Sequence, residues 1–162
     1  MGWFRKRYGQ TVVGVISDTH GPLTPAAAGA LDGCDHIICA GDIMSPEVMP
    51  ALNELANRVT AVRGNMDGRE PTRSLPWTAV AEAGGVSFYV LHDLGDLDLD
   101  PEAAGFAAVI HGHTHRAEIE WNAGVLILNP GSAGEPRSLR PATVARIVVE
   151  EGKLTPEIVE LR

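Results

Sequence analysis

Three histidines fall within five positions in the stretch HGHTH, at His111, His113 and His115, and they are half of the six in the chain. Imidazole can ligate a metal, move a proton near neutral pH or simply line a pocket, so the cluster needs partners before it implies a reaction. The chain also carries DTH at 18–20, GD at 41–42, GNMD at 64–67 and HD at 92–93. Together these offer imidazole nitrogens, carboxylate oxygens and an amide oxygen, a donor set suited to manganese, iron, zinc, nickel or cobalt rather than calcium. One bridging carboxylate in such a set lets two cations sit about 3.5–4 Å apart. Two aspartates offset only half the charge of two divalent ions, and an added hydroxide still leaves the centre positive. A phosphate would be drawn to it even in an acidic protein.

The elements that must position these groups can be read from the apolar pattern. TVVGVIS (11–17) is a short, β-branched run that suits a strand buried on both faces. TPAAAGAL follows as a helix, with Thr24 as N-cap and Pro25 at the first helical position. HIICA is a second strand, SPEVMPALNELAN a second helix opening at Ser45 and Pro46, and RVTAVRG a third strand. This alternation predicts a layered α/β domain that begins with parallel strands. Beyond Pro71, AVAEAGGVSFYVLH reads as two strands around Gly84-Gly85, GVLILN as another, and ATVARIVVEEGKLTPEIVEL as a last pair turning at Glu151-Gly152. PEAAGFAA reads as one further helix. The strand-rich half is expected to add a second sheet to the same domain. Residues 1–162 then form one unit, with 1–10 as a loosely ordered arm.

In open α/β sheets, ligands gather outside the carboxyl ends of the strands. Asp18 and His20, Asp42, Asn65 and Asp67, His92, and HGHTH each follow one of the successive strands. Asp or Asn after a strand is ordinarily a turn residue or helix cap. Turns do not call for histidine, however, and four of these histidines terminate strands. Gly41, Gly64 and Gly112 precede or separate candidate ligands, where glycine permits close backbone approach.

Bulk properties narrow the function classes. The length of 162 residues suits one domain with a sizeable core. A hydrophobic content of 44% argues against disorder, and 21% charged residues is ordinary for a globular chain. A formal net charge of −8 and the lack of a basic-aromatic patch argue against extended nucleic-acid binding. The basic cluster Arg5, Lys6 and Arg7 is followed by an apolar run too short for a signal peptide. No run reaches the roughly 18 apolar residues of a membrane helix. Cys34 and Cys39 are separated by four residues and have no second pair, which argues against structural zinc; Cys39 reads as a small buried hydrophobe. A reduced, cytoplasmic protein is expected.

As a set, DTH, GD, GNMD, His92 and GHTH, spread over roughly two-thirds of the chain, resemble the calcineurin-like metallophosphoesterase superfamily. The short length, GHTHR and LNPGSAGEPR (128–137) resemble its compact prokaryotic phosphodiesterase branch. The resemblance implies an α/β fold, a four-layer α-β-β-α sandwich of two mixed β-sheets flanked by helices. It implies two divalent metal ions, with manganese the leading expectation and nickel, zinc, iron, cobalt or magnesium as alternatives. One ion would be held by Asp18, His20, Asp42 and His115, and the other by Asp42, Asn65, His92 and His113, with Asp42 bridging. Asp42, Asn65 and His92 are also the residues marked as catalytic. The implied reaction is in-line attack of a metal-bridging hydroxide on the phosphorus of a small phosphodiester. A phosphomonoesterase is the neighbouring alternative, and homo-oligomerisation is left open.

Several residues sit outside that pattern. Many superfamily members carry histidine after GN, where this chain has Met66, whose thioether has no proton to give. The compact branch commonly lacks that histidine, so the departure points to dependence on good leaving groups. Asp67 is open between orienting a ligand histidine and an ordinary turn aspartate. His111 has no place in the ligand set and is expected to be a core or pocket-lining residue. NPGS (129–132) would offer backbone N–H groups to a phosphate or form a plain Pro-Gly turn. Arg137 is a candidate substrate contact or a solvated side chain. Trp77 is open between stacking on substrate and core packing, His36 is expected to be structural, and Asp93, Asp96, Asp98 and Asp100 read as a solvated loop. The alternative from another class is a protein-interaction scaffold on the same fold. The retromer subunit related to this branch has lost metal-site histidines, whereas His20, His92, His113 and His115 are all present here.

Overall fold

A computed structural model describes residues 7–134 and 139–162. In chain order it contains β1 (Thr11–Ile16), α1 (Pro25–Leu31), β2 (His36–Cys39), α2 (Val48–Leu55), β3 (Arg58–Ala61), β4 (Thr78–Ala83) and β5 (Val86–Leu91). Then follow β6 (Ala108–Ile110), β7 (Ala117–Asn122), β8 (Val125–Pro130), β9 (Thr143–Glu150) and β10 (Lys153–Glu160). Two five-stranded sheets result, one ordered β10-β9-β1-β2-β3 and the other β4-β5-β6-β8-β7. In the first, β1, β2 and β3 run parallel, β9 is antiparallel to β1, and β10 is antiparallel to β9. In the second, β5, β6 and β8 are parallel, with β4 and β7 antiparallel at the two edges. Both sheets are mixed, so the fold is the α/β sandwich expected.

Strand alternation separates the two layers of core. In β1, Val13 and Val15 point between the sheets and meet Ile38, Phe88, Ile110 and Leu128. Val12 and Ile16 point outward, under Ala27 and Leu31 of α1 and Val48 and Leu52 of α2. Thr24 caps α1 as its sequence implies, its hydroxyl accepting from Ala27 N at 3.2 Å, with Pro25 in the first turn. The Gly84-Gly85 and Glu151-Gly152 turns close the expected hairpins.

Four expectations are corrected. The strand-rich half does not form one sheet: β4 to β8 do, but β9 and β10 return to the first sheet, where β9 covers the open side of β1 with Val149 opposite Thr11. The second helix starts at Val48, because the Ser45 hydroxyl turns to the Glu47 carboxylate at 2.9 Å instead of capping the helix. PEAAGFAA is a hydrogen-bonded turn. Asp100 Oδ1 accepts from Glu102 N and Ala103 N, and Gly105 at φ 82° ends the run after one turn. The outer face of the second sheet is therefore covered by Leu94, Leu97, Leu99 and Phe106 from the segment ahead of β6, packed on Tyr89, Leu91 and Val109. Finally, AEIEWN forms β7, an edge strand absent from the sequence reading. Every residue in it is exposed, so burial leaves no clear mark on its pattern.

The arm residues Arg7 to Gln10 make a turn tied to the β9 end through Gln10 Nε2 donating to Glu150 Oε2 at 3.2 Å. Arg5 and Lys6 lie outside the described residues. No helix of the described residues is long and apolar enough to cross a membrane. Both cysteines are free and buried, as Cys39 was expected to be. Burial pushes the Cys34 thiol up to about 11 and the Cys39 thiol up to about 12. Because the thiolate is the reactive form, the folded protein should show almost no reaction with a disulfide reagent at pH 8, and two thiols should react after denaturation. Rapid modification of the native protein would contradict this burial.

Candidate metal centre

The residues singled out in sequence converge at one end of the sandwich, where the carboxyl ends of the parallel strands of both sheets meet. The first sheet supplies Asp18 and His20 after β1, Asp42 after β2, and Asn65 after β3. The second supplies His92 after β5 and the 111–115 loop after β6. Backbone bonds join the loops within each sheet, with Asp18 N donating to Gly41 O, His20 N to Asp42 O and Gly112 N to His92 O, each at 2.9–3.1 Å, and Ala133 N and Gly134 N, beyond β8, cross to Ser17 O and Asp18 O at 3.0 and 3.2 Å.

This convergence uses unusual backbone. Eight non-glycine residues among those described have positive φ, and six are at this site: Asp18, His20, Asp42, Met44, His113 and His115. Left-handed backbone at a side-chain-bearing residue costs on the order of 1 kcal/mol, so such clustering marks a place where the surroundings over-determine the geometry. The turns also exclude side chains. A Cβ on Gly64 would strike Asp42 Oδ1, and one on Gly112 would strike Ser17 Oγ.

The donor atoms face inward. Asp18 Oδ1 lies 3.3 Å from His115 Nε2, 3.6 Å from His20 Nε2 and 3.9 Å from His92 Nε2. Asp42 Oδ2 lies 3.3 Å from His92 Nε2 and 3.7 Å from His20 Nε2. His20 Nε2 and His115 Nε2 are 3.1 Å apart. Asn65 Oδ1 sits 3.0 Å from His92 Nε2 and 3.2 Å from His113 Nδ1. Two groups are geometrically able to hold an ion, Asp18 with His20 and His115, and Asp18 with Asp42 and His92. Asp18 thus belongs to both, while Asp42 touches a histidine of each expected set. His113 stands further out, against Asn65.

A test of fit comes from Asp18. Its Oδ1 is fully buried and has no hydrogen-bond partner, although Oδ2 accepts from Ser17 Oγ at 2.6 Å and from His113 N at 3.1 Å. A buried carboxylate oxygen surrounded by imidazole nitrogens is costly unless a cation lies among them, and the donor types match divalent metals. His92 is oriented for that role, since its outer nitrogen Nδ1 is held by Ala40 O at 2.6 Å and Nε2 is left facing inward. Burial alone would raise the Asp42 carboxyl, but the hydrogen bonds from His92 and from Met66 N bring it below the ordinary carboxylate value. Burial pulls His92 down, yet the Asp42 carboxylate and the Ala40 carbonyl outweigh it and raise the imidazole.

The supporting residues settle several alternatives. Asp67 is buried and orients no histidine; it accepts from Ile43 N and Met44 N through Oδ1, both at 2.9 Å, and from Gly64 N through Oδ2 at 2.7 Å. It therefore staples the loop after β2 to the loop after β3. The Gly131 N–H of NPGS is taken up inside its own turn, and the segment that follows docks on the first sheet. Gly131 N donates to Asn129 Oδ1, and Ala133 N and Gly134 N donate to Ser17 O and Asp18 O. Asn129 Nδ2 donates to Gly112 O and Thr114 Oγ1, so this asparagine shapes the histidine loop. Ser17 was not singled out in sequence, and Asn129 and Ser132, whose hydroxyl donates to Asp18 O, were noticed only as parts of NPGS and not for their side chains. His111 is buried beside the site, makes no part of either ion-holding group, and is pulled below its ordinary pKa by burial. His36 is structural, paired with Thr60 Oγ1 at 2.8 Å. Trp77 neither packs in the core nor lines the cleft; it is exposed with the Arg63 guanidinium 4.1 Å above its ring. Arg137 lies outside the described residues.

Comparison with known proteins identifies the family and the fold. The family described as the calcineurin-like phosphoesterase superfamily domain matches residues 12–152. A probable metallophosphoesterase of Methanocaldococcus jannaschii is 34% identical, over 91% of this chain and 82% of its own. Phosphodiesterase YfcE of Escherichia coli is 29% identical over 78% of this chain and 82% of its own. The structure of Vacuolar Protein Sorting 29 from Cryptosporidium parvum shares the fold, with a TM-score of 0.73 at 21% identity, over 94% of this chain and 98% of that one.

The Asp67 staple carries a stability prediction. Replacing Asp67 by Ala strands three backbone N–H groups in a buried loop, each costing about 1–3 kcal/mol. Urea unfolding of Asp67→Ala should show a loss of at least about 3 kcal/mol. A loss under about 1 kcal/mol would mean that the loops do not depend on this carboxylate.

Proposed function

We propose that this chain, which belongs to the calcineurin-like phosphoesterase superfamily, hydrolyses small phosphodiesters at a centre of two divalent cations. That it is a hydrolase acting on phosphoesters follows from the family and from its likeness to YfcE. The two-cation centre and the diester preference are our reading, and the observation that carries it is the orphaned, buried Oδ1 of Asp18 facing three imidazole nitrogens.

In this reading Asp18, His20, Asp42 and His115 hold one cation, and Asp42, Asn65, His92 and His113 hold the other. Cations bound there would lower the pKa of a shared water and offset charge developing on the phosphoryl oxygens. The chain's own residues supply placement. Asp42 lies between His20 and His92 and would be the ligand common to both cations, Asn65 adds a neutral oxygen beside His92 and His113, and Ala40 O fixes the His92 tautomer. Manganese is the leading expectation for this family, and the mixed nitrogen and oxygen donors suit iron, zinc, nickel or cobalt as well. The two free, buried thiols fit a reducing, cytoplasmic setting.

Substrate charge and leaving group follow from the cleft above the centre, a space of about 300 Å³ lined by His20, Asp42, Met44, Asn65, Met66, His113 and His115. No lysine or arginine lines it among the described residues, so a singly charged diester suits it better than a doubly charged monoester. Once the histidines are committed to cations, none of the described lining groups has a proton for a departing oxygen; Met66 at its rim offers only a thioether. Good leaving groups are therefore favoured.

The test is an assay of bis-p-nitrophenyl phosphate, p-nitrophenyl phosphate and a dialkyl phosphate with Mn, Ni, Zn and Mg supplied separately. The aryl diester should be hydrolysed fastest, and Asp42→Ala and His113→Ala should each lose more than about 100-fold in kcat/KM. Met66→His should raise the dialkyl rate by at least about tenfold while changing the aryl rate less. Absence of hydrolysis with every cation would favour an interaction scaffold, and equal aryl and alkyl rates would remove the leaving-group argument.

A further inference from the structure

The acidic run after β5 is not uniformly solvated. Asp96, Asp98 and Asp100 are exposed, while Asp93, the residue directly after His92, turns toward the centre. Its Oδ1 accepts from Gly95 N at 2.9 Å and caps the short 3-10 turn Leu94–Asp96. Its Oδ2 lies 3.7 Å from His113 Nε2.

His113 is the least constrained of the inward-facing imidazoles. Its backbone is fixed, at φ 71° with N donating to Asp18 Oδ2, but its side chain is 41% exposed. The ring meets Asn65 Oδ1 through Nδ1 at 3.2 Å and the edge of the His92 ring at a centroid distance of 5.2 Å. Asn65 Oδ1 is an acceptor, so in the absence of a cation it favours a proton on His113 Nδ1. That is the wrong tautomer for a ligand, because it directs a hydrogen rather than a lone pair at the centre. The Asp93 carboxylate acts on the opposite nitrogen. At 3.7 Å it is longer than a hydrogen bond, but its charge repels a lone pair on Nε2 and attracts an N–H there. His92 has its outer nitrogen held by a carbonyl, and His113 has a carboxylate in the corresponding place.

We propose that Asp93 is a positioning residue that places the His113 proton on Nε2 and so presents the Nδ1 lone pair to the cation shared with Asn65 and His92. This rests on the reading above that His113 is a ligand. Carboxylate partners of ligand histidines act in this way by fixing tautomer and ring orientation and by raising ligand basicity. Asp93 touches neither substrate nor, in this geometry, the cation itself.

Three variants separate positioning from the loop-capping role of the same side chain. Asp93→Asn keeps an acceptor for Gly95 N but removes the charge that faces His113. Asp93→Ser keeps a short acceptor for Gly95 N but cannot reach His113, and Asp93→Ala removes both. The first readout is the His113 tautomer in the metal-free protein, from long-range proton–nitrogen correlation at a pH about two units above the ordinary imidazole value. Relative to wild type, the Asn, Ser and Ala variants should all shift toward the Nδ1–H form, since each removes the charge facing Nε2. The second is Mn²⁺ calorimetry, where one of two bound equivalents should weaken by about 10–100-fold in the Ser and Ala variants while the other is unchanged. Wild-type tautomer and affinities in both variants would overturn the proposal, and loss in Ala but not Ser would assign Asp93 to loop capping alone. Failure of the wild type to bind Mn²⁺ would instead sink the two-cation reading, while the tautomer ratios would still decide whether Asp93 acts on His113.

Discussion

The buried carboxylate of Asp67 is the interaction on which the centre depends. By accepting three backbone N–H groups from two different loops, it makes the turn after β2 and the turn after β3 parts of one surface. Met44 is one of the residues so held, in a left-handed conformation, and Asp42 two positions earlier is held the same way. Left-handed side-chain-bearing residues persist only where their hydrogen bonds leave no better option. The stapled loops remove the alternatives, because relaxing either turn would leave buried N–H groups unpaired. Asn129 plays the matching part in the second sheet, where its amide holds Gly112 O and Thr114 Oγ1 and so sets the course of the loop that carries His113 and His115.

The candidate ligands are therefore brought together by the fold alone. In water, gathering several acceptors around one point would be opposed by desolvation and mutual repulsion. Here that opposition is met by the folding of two sheets whose core strands are buried on both faces, with Val13, Val15, Phe88 and Leu128 interlocked between them. The unpartnered atom of this arrangement is one buried carboxylate oxygen of Asp18, with three imidazole nitrogens 3.3–3.9 Å from it. A site of this kind has little reorganisation left to do when charge develops in a reaction.

Much of this was legible in the sequence. The DTH, GD, GNMD and HGHTH segments were recognisable because histidine has no reason to end strand after strand in an ordinary turn, and the strands themselves announced their ends with apolar runs. What could not be read was which distant groups those segments would meet. His113 N finds Asp18 across 95 residues, and the Ser132 hydroxyl finds the Asp18 carbonyl across 114. Asp67 was open between a histidine partner and a turn aspartate; that it binds the backbone of two loops leaves no trace in residue identity. Asp93 was hidden among other aspartates of the same loop, since only the direction of its side chain distinguishes it. The return of β9 to the first sheet was also invisible: a strand buried on both faces has the same composition in either sheet. The segment PEAAGFAA has helical composition, but Gly105 and the Asp100 side chain close it as a turn.

The candidate ligands are drawn from both sheets, with Asp18, His20, Asp42 and Asn65 on one and His92, His113 and His115 on the other. Cations bound among them would form a cross-brace at one end of a sandwich otherwise held by apolar contact and loop hydrogen bonds. By linkage, a ligand that binds only the folded state stabilises it in proportion to the logarithm of its concentration over its dissociation constant. Such cations would therefore be structural cement as well as reactive machinery, and the folded population in a cell would track metal supply. Starvation for the cation would remove the protein as well as silence it.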